Sequence, residues 1–133
     1  MTKELRLILK EYCALKRIPF QKDMEIVYQG KNKATGGMFF IVTGKGITTE
    51  RYEHAPISLT PYTDYKALTL ESAVRVNPSS LSKDTIASWF NNWTNLNMLP
   101  TDIGQVMVTS EKVTVVAASN SMRFKHSFSM NYQ

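Results

Sequence analysis

The sequence carries a single cysteine, Cys13, among 133 residues. One thiol can close no internal disulfide and cannot build a cysteine-based zinc cluster, since both need further sulfur ligands. Without a sulfur staple, the reducing cytosol is the default compartment. Long apolar runs are also missing. No stretch approaches the roughly 20 apolar residues that a membrane-spanning helix needs. The opening "MTKELRLILKEY" mixes charges into its apolar positions and reads as an amphipathic helix, not a signal peptide. Internal repeats, heptads and low-complexity tails are absent.

Chemistry-bearing motifs are equally scarce. "GKGITT" faintly resembles a phosphate-binding loop. That motif needs glycine where Phe39 stands and Ser or Thr where Gly46 stands, so the stretch is read as a glycine-rich bend. There are only two histidines. His126 lies between Phe124 and Phe128 and is read as a packed or edge histidine. His54 sits beside Glu53 in an irregular stretch, with no serine or cysteine nucleophile motif attached. Cys13 falls on the apolar side of a helix and is read as core. The carboxylates are scattered, without the pairing of an acid–base site. Asn92-Trp93-Thr94 matches a glycosylation sequon, idle in a chain read as unsecreted. The last strand has aromatics and basic residues but lacks the glycines of an RNA-recognition motif.

What is present is an ordinary globular balance: 43% apolar, 20% charged, and 16 basic against 11 acidic residues for a formal charge of +5. The length fits one domain, 1–133, large enough to fold without a metal or disulfide. The charge allows an anionic partner, although no long basic run appears.

Periodicity sets the elements. Leu5, Ile8, Leu9, Tyr12 and Cys13 recur at helical spacing, which predicts a helix from Thr2, its cap, to about Lys16. Pro19 in "RIPF" stops it. "MEIVYQ" (24–29) and "MFFIVT" (38–43) read as a hairpin around the loop 30–37, the second strand covered on both faces. The connection 44–63 holds Gly44, Gly46, Pro56 and Pro61 and is expected to hide a short strand near Ile47–Tyr52. In 64–76, Leu68, Leu70, Val74 and Val76 alternate with mostly polar residues, which predicts a long strand ended by Asn77-Pro78. Ser82 then caps a second helix, with Asp84 in its first turn and Ile86, Trp89, Phe90 and Trp93 as its buried face, fraying by Leu96. "QVMVT", "KVTVVAA" and "MRFKHSFSMNY" are strands. The last shows strict period two, with Met122, Phe124, His126, Phe128, Met130 and Tyr132 on one face. The fold class that follows is α+β: a mainly antiparallel sheet, or small sheet sandwich, covered by two helices.

This order of elements resembles the tail terminator, or neck head-to-tail joining, proteins of tailed bacteriophages. The resemblance is carried by "ELRLILKEYCALK", then by the strand–break–helix unit "YKALTLESAVRVNPSSLSKDTIASWFNNWTNL", and finally by "IGQVMVTSEKVTVVA" and "MRFKHSFSMNYQ". Many members also carry an acidic residue and an arginine entering the last strand. Here Arg123 stands, preceded by "ASNSM". The resemblance implies a tail-terminator-like fold and a structural virion protein without catalysis, cofactor or metal. Such a protein forms a homo-oligomeric ring, usually a hexamer, that caps the tail tube and docks to the neck or head. Its partners are copies of itself, tail-tube and head-connector proteins, and DNA passing through the lumen without sequence-specific contact. Its place is the virion tail or neck, after assembly in the host cytoplasm. Loops 30–37 and 44–63 and strand 64–76 are the expected contact surfaces, with Lys31, Lys33, Lys45, Arg51, Tyr52 and Arg75 as interface residues. The alternative is a small basic nucleic-acid-binding regulatory protein, with Lys31, Lys33, Lys45 and Arg51 on phosphates. A third reading is an enzyme centred on His54, oriented by Glu53 or Asp64.

Overall fold

The computed structural model describes residues 1–62, 69–70 and 81–132. The chain divides into two compact units, Met1–Pro56 and Ile57–Gln133.

In the first unit Thr2 sets the start of helix α1 (Lys3–Lys16). Its backbone is extended, and its hydroxyl accepts the Leu5 N–H at 3.1 Å, satisfying one of the first-turn amides that a helix leaves unpaired. Arg17 ends the helix in the left-handed conformation (φ 57), two residues before Pro19. Strands β1 (Glu25–Lys31), β2 (Met38–Thr43) and β3 (Glu50–His54) form an antiparallel sheet in the order β1-β2-β3. Phe40 stands opposite Tyr28 on one side and Tyr52 on the other. Cross-strand partners share a face, so Ile26, Met38, Phe40, Val42 and His54 lie on one side. All five are buried, as are Ile8, Leu9, Tyr12 and Cys13 of α1. The expectation that β2 is covered on both faces needs correction. Its residues alternate, with Met38, Phe40 and Val42 buried and Phe39, Ile41 and Thr43 half-buried. A short run of apolar residues does not distinguish one closed face from two. Strand β1 also extends to Lys31 through a bulge between Tyr28 and Gly30, so the turn is shorter than 30–37. The strand expected near Ile47–Tyr52 lies slightly later, as β3.

The second unit opens with β4 (Ile57–Ser58) and a 3-10 turn, Thr60–Tyr62. Of the predicted strand 64–76, Thr69–Leu70 form β5; the rest of that stretch, Arg75 and the Asn77-Pro78 stop lie outside the described residues. Helix α2 (Lys83–Thr94) starts as expected at Ser82, whose Oγ accepts the Thr85 N–H at 3.1 Å. It ends one residue past Thr94, at left-handed Asn95 (φ 57). Strands β6 (Ile103–Val108), β7 (Lys112–Ala117), β8 (Phe124–Lys125) and β9 (Ser127–Tyr132) follow. The main sheet runs β5-β9-β7-β6. Its β6–β7 and β7–β9 pairs are antiparallel, whereas β5 lies parallel to β9. A second, parallel pair joins β4 to β8. The core gathers Ile86, Ala87 and Phe90 of α2 with Val113, Val115, Phe124, Phe128 and Met130. Trp89 and Trp93 are not fully inside it, as the sequence pattern had them. They are half-buried at its margin, and Ala87 takes an inner position. The inward face of α2 is centred on Phe90 between Ile86 and Ala87, and both indoles fall on one flank of it.

The last strand also differs. His126 adopts φ 68, which breaks the extended run between β8 and β9. It is exposed instead of lying on the apolar face, and its Nδ1 is 2.9 Å from Ser58 Oγ. Phe124, Phe128 and Met130 stay buried, because the break separates two runs that each keep their own alternation. The protein is an α+β fold, with mainly antiparallel sheets and, among the described residues, one α-helix in each unit.

Candidate functional site

The cations singled out in the sequence do not converge. Lys31 ends β1 and Lys33 lies in the turn that follows, both exposed at one end of the hairpin. Lys45 lies beyond the other end of β2, roughly 17 Å away at the usual rise per strand residue. There its backbone N–H donates to Asp23 Oδ2 at 2.8 Å. Arg51 is the second residue of β3, its guanidinium 4.2 Å from the centre of the Phe39 ring. A single phosphate-binding cluster of Lys31, Lys33, Lys45 and Arg51 is therefore not assembled.

What the register does assemble is a row across the first sheet. Val27, Ile41 and Arg51 are successive cross-strand partners on the face opposite α1. Val27 is 54% exposed, Ile41 and Phe39 are half-buried, and Arg51 is exposed. This is an apolar strip with a cation stacked at its border, the composition of an interface margin. Tyr52 faces the other way. Its ring stands edge-on to Tyr12 at 5.3 Å, and burial, followed by the Glu11 charge, pushes its hydroxyl above the usual tyrosine value.

Beneath α1, polar side chains tie helix to sheet. Glu50 accepts hydrogen bonds from Lys16 Nζ and Tyr12 Oη, each at 2.8 Å. Lys16, then Tyr12, holds the Glu50 carboxyl below the ordinary range. Burial, then Glu50, pushes the Tyr12 hydroxyl up to about 12. Burial also raises the Cys13 thiol, whose Sγ packs 3.7 Å from Met24 Sδ in the core position expected for it.

The proposed orienting partner of His54 is corrected here. Glu53 points to the opposite face, where it accepts Thr35 Oγ1 at 2.6 Å and Asn32 Nδ2 at 3.1 Å and anchors the hairpin turn. Adjacent strand residues cannot share a face. His54 is buried, with Nδ1 3.4 Å from Glu11 Oε2 and its ring beside Phe40 and Tyr52. Asp64 lies outside the described residues.

In the second unit, one buried polar group was not foreseen. Arg123 donates to the Leu96 and Asn97 carbonyls, both at 2.7 Å, and lies 3.9 Å from Asp102. Asp102 also accepts the Leu99 N–H at 2.8 Å and the Ser121 hydroxyl at 2.9 Å. The arginine entering the last strand thus has an acidic neighbour from before β6, not from its own segment. Only the lone arginine among small residues hinted at it. The group closes the chain after α2 against the start of the last strands, which is a structural task.

Strand edges complete the inventory. Among the described residues, β1 and β3 border the first sheet, and β6 pairs only with β7. Gln105 is exposed, and Met107 is 43% exposed on β6. Among the described residues no group of three or more His, Cys, Asp or Glu side chains is arranged to hold a metal ion, and no helix is long and apolar enough to cross a membrane. No protein-family model matches this chain, and no curated protein or solved structure does so either.

Proposed function

We propose that this chain is a structural subunit of a homo-oligomeric ring of the phage tail-terminator kind, which caps a tail tube and docks to the neck or head. The observation that carries the reading is the pair of open sheet borders. Strands β1 and β6 each present exposed apolar side chains, Val27 and Met107, beside unpaired backbone groups among the described residues. Such edges are templates for pairing with another chain. In a head-to-tail arrangement, one edge of each copy meets a different surface of the next, and the contacts close into a ring when the rotation allows. The Val27–Ile41–Arg51 row supplies a face for the second side of that contact. The α+β architecture and the sequence order of its elements support the same assignment. The dispersal of Lys31, Lys33, Lys45 and Arg51 weighs against a compact phosphate-reading site. DNA threading a lumen needs no such site.

The test is the particle mass of the purified protein by light scattering, alone and with tail-tube protein. The expected result is a discrete ring mass, or a capped tube of fixed length, lost in Val27→Lys or Met107→Lys. Both positions are exposed, so the monomer should keep its helix and sheet signals. A particle that stays monomeric under both conditions and never joins a tube would overturn the assignment.

A further inference from the structure

Between the helix α1 and the segment that follows it lies a cleft of about 410 Å³, lined by Met1, Arg6, Lys10, Phe20, Lys22 and Met24. This is within the size range of ligand-binding clefts. Its floor is apolar. Met24 is buried, while Phe20, in the segment after the helix, is 40% exposed. Its rim is cationic. Arg6 and Lys10 are four residues apart on α1 and share one face, and Lys22 comes from the opposite wall. Lys10 Nζ stands 5.5 Å from the centre of the Phe20 ring. Among the described residues no carboxylate lines the cleft. Asp23, beside Lys22 in sequence, accepts the Lys45 N–H.

Three cations around an apolar floor, with no carboxylate among the described lining residues, make a site whose complement is known in outline. We infer that this cleft binds an acidic peptide segment of a partner protein, with one apolar anchor side chain flanked by at least two carboxylates. A fatty acid would bring a single carboxylate to three cations. A flat bilayer surface would not reach a concave floor. A nucleic acid backbone would meet the rim but leave Met24 and Phe20 without an apolar partner. Like charges at Arg6 and Lys10 oppose each other on one helix face, and a bound anion relieves that opposition. This inference concerns the first unit alone and does not depend on ring assembly.

The probe is a fluorescein-labelled peptide, Glu-Asp-Leu-Phe-Glu-Asp, followed by anisotropy against the full chain, with a Lys-for-acid control peptide. Saturable binding is expected for the acidic peptide and not for the control. The combined Arg6→Gln, Lys10→Gln and Lys22→Gln variant should weaken it at least about ten-fold, and Phe20→Ala at least about three-fold. Added salt should weaken binding as the rim charges are screened. These side chains are at the surface, and far-UV circular dichroism checks that the variants keep the parent's fold. The inference is overturned by an absence of saturation up to about 1 mM peptide or by equal affinity in the triple variant. Stronger capture of phosphatidylglycerol vesicles or a short DNA duplex through the same residues would overturn it too.

Discussion

Met1–Pro56 and Ile57–Gln133 each set, among the described residues, one α-helix with antiparallel strands, but they close their cores by different means. The second unit stacks rings on rings. Phe90 meets Tyr62 at 5.2 Å, Phe128 at 5.5 Å and Phe124 at 5.9 Å, and a buried Asp102 and Arg123 hold the chain after α2 to the start of the last strands. The first unit adds polar ties at its margin: Tyr12–Glu50–Lys16 and Glu53 to the hairpin turn. Among the described residues it also keeps most of the large exposed apolar side chains, namely Met1, Leu15, Phe20, Val27 and Tyr28, against Met107 in the second. Most of the charge is there as well, with 10 basic against 6 acidic residues, compared with 6 and 5 in the second unit. Exposed apolar groups beside cations are costly to keep unless a partner covers them. The cleft proposal falls in the first unit, and the ring proposal draws on an edge strand of each, β1 in the first and β6 in the second.

The comparison can be broken most sharply at Phe90. Phe90→Ala is expected to cost about 3–5 kcal/mol, since the cavity lies between three other rings. Both tryptophans are in the second unit, so tryptophan fluorescence during urea unfolding reads the loss directly. A cost below about 1 kcal/mol would mean that the ring stack is not what holds the unit.

Arg123→Met comes next, at about 3 kcal/mol, because it leaves two carbonyls without their donor and Asp102 buried beside an apolar chain. The same urea series measures it. An unchanged midpoint would remove the buried polar group from the description of this unit.

Gly104→Ala is expected to cost about 1–3 kcal/mol. A Cβ there would lie 2.8 Å from Ala118 Cα and 3.2 Å from the Ala117 carbonyl oxygen, both backbone atoms that cannot swing aside. Thermal melting of the variant checks it, and an unshifted midpoint would show that β6 can move away from its neighbour.

The smallest effect sharpens the other side of the contrast. Tyr12→Phe removes one hydrogen bond to a carboxylate, about 1 kcal/mol at neutral pH. The Tyr12 hydroxyl is raised in the folded chain. Its contribution is whole below the ordinary tyrosine value of 10 and is lost as pH rises toward about 12. The Glu50 carboxyl is lowered, so its contribution is present above the ordinary carboxylate range and lost as pH falls through the lowered value. Melting followed by far-UV circular dichroism should show a larger alkaline loss in the parent than in Tyr12→Phe, which keeps only the raised Tyr52 hydroxyl of the pair. Identical alkaline slopes in the two proteins would count against the tie.

The elements that local chemistry specifies were legible in order. Thr2 and Ser82 cap helices because a hydroxyl in an extended residue reaches a first-turn amide, and neither needs the rest of the chain. The hairpin, the short strand after it and the alternation through Phe128 and Met130 follow from period two. Placement against distant segments was not legible. Glu11 and His54, or Asp102 and Arg123, carry no spacing signal, since 43 and 21 positions separate them in sequence. The candidate interface row could be read only in part. Arg51 was noted as a cation, while Val27 and Ile41 looked like interior strand residues, and only the register shows them on the face away from α1.

By itself, then, the sequence determined the kinds of element, where the helices begin, and the inward turn of Phe124, Phe128 and Met130, because these depend on side chains a few positions apart. The tertiary structure decided the parallel pairing of β4 with β8 and of β5 with β9, the left-handed turn at His126, and which cations stand together. Those depend on free-energy differences between whole packings, which settle only when distant backbone groups find partners and apolar faces close on one another.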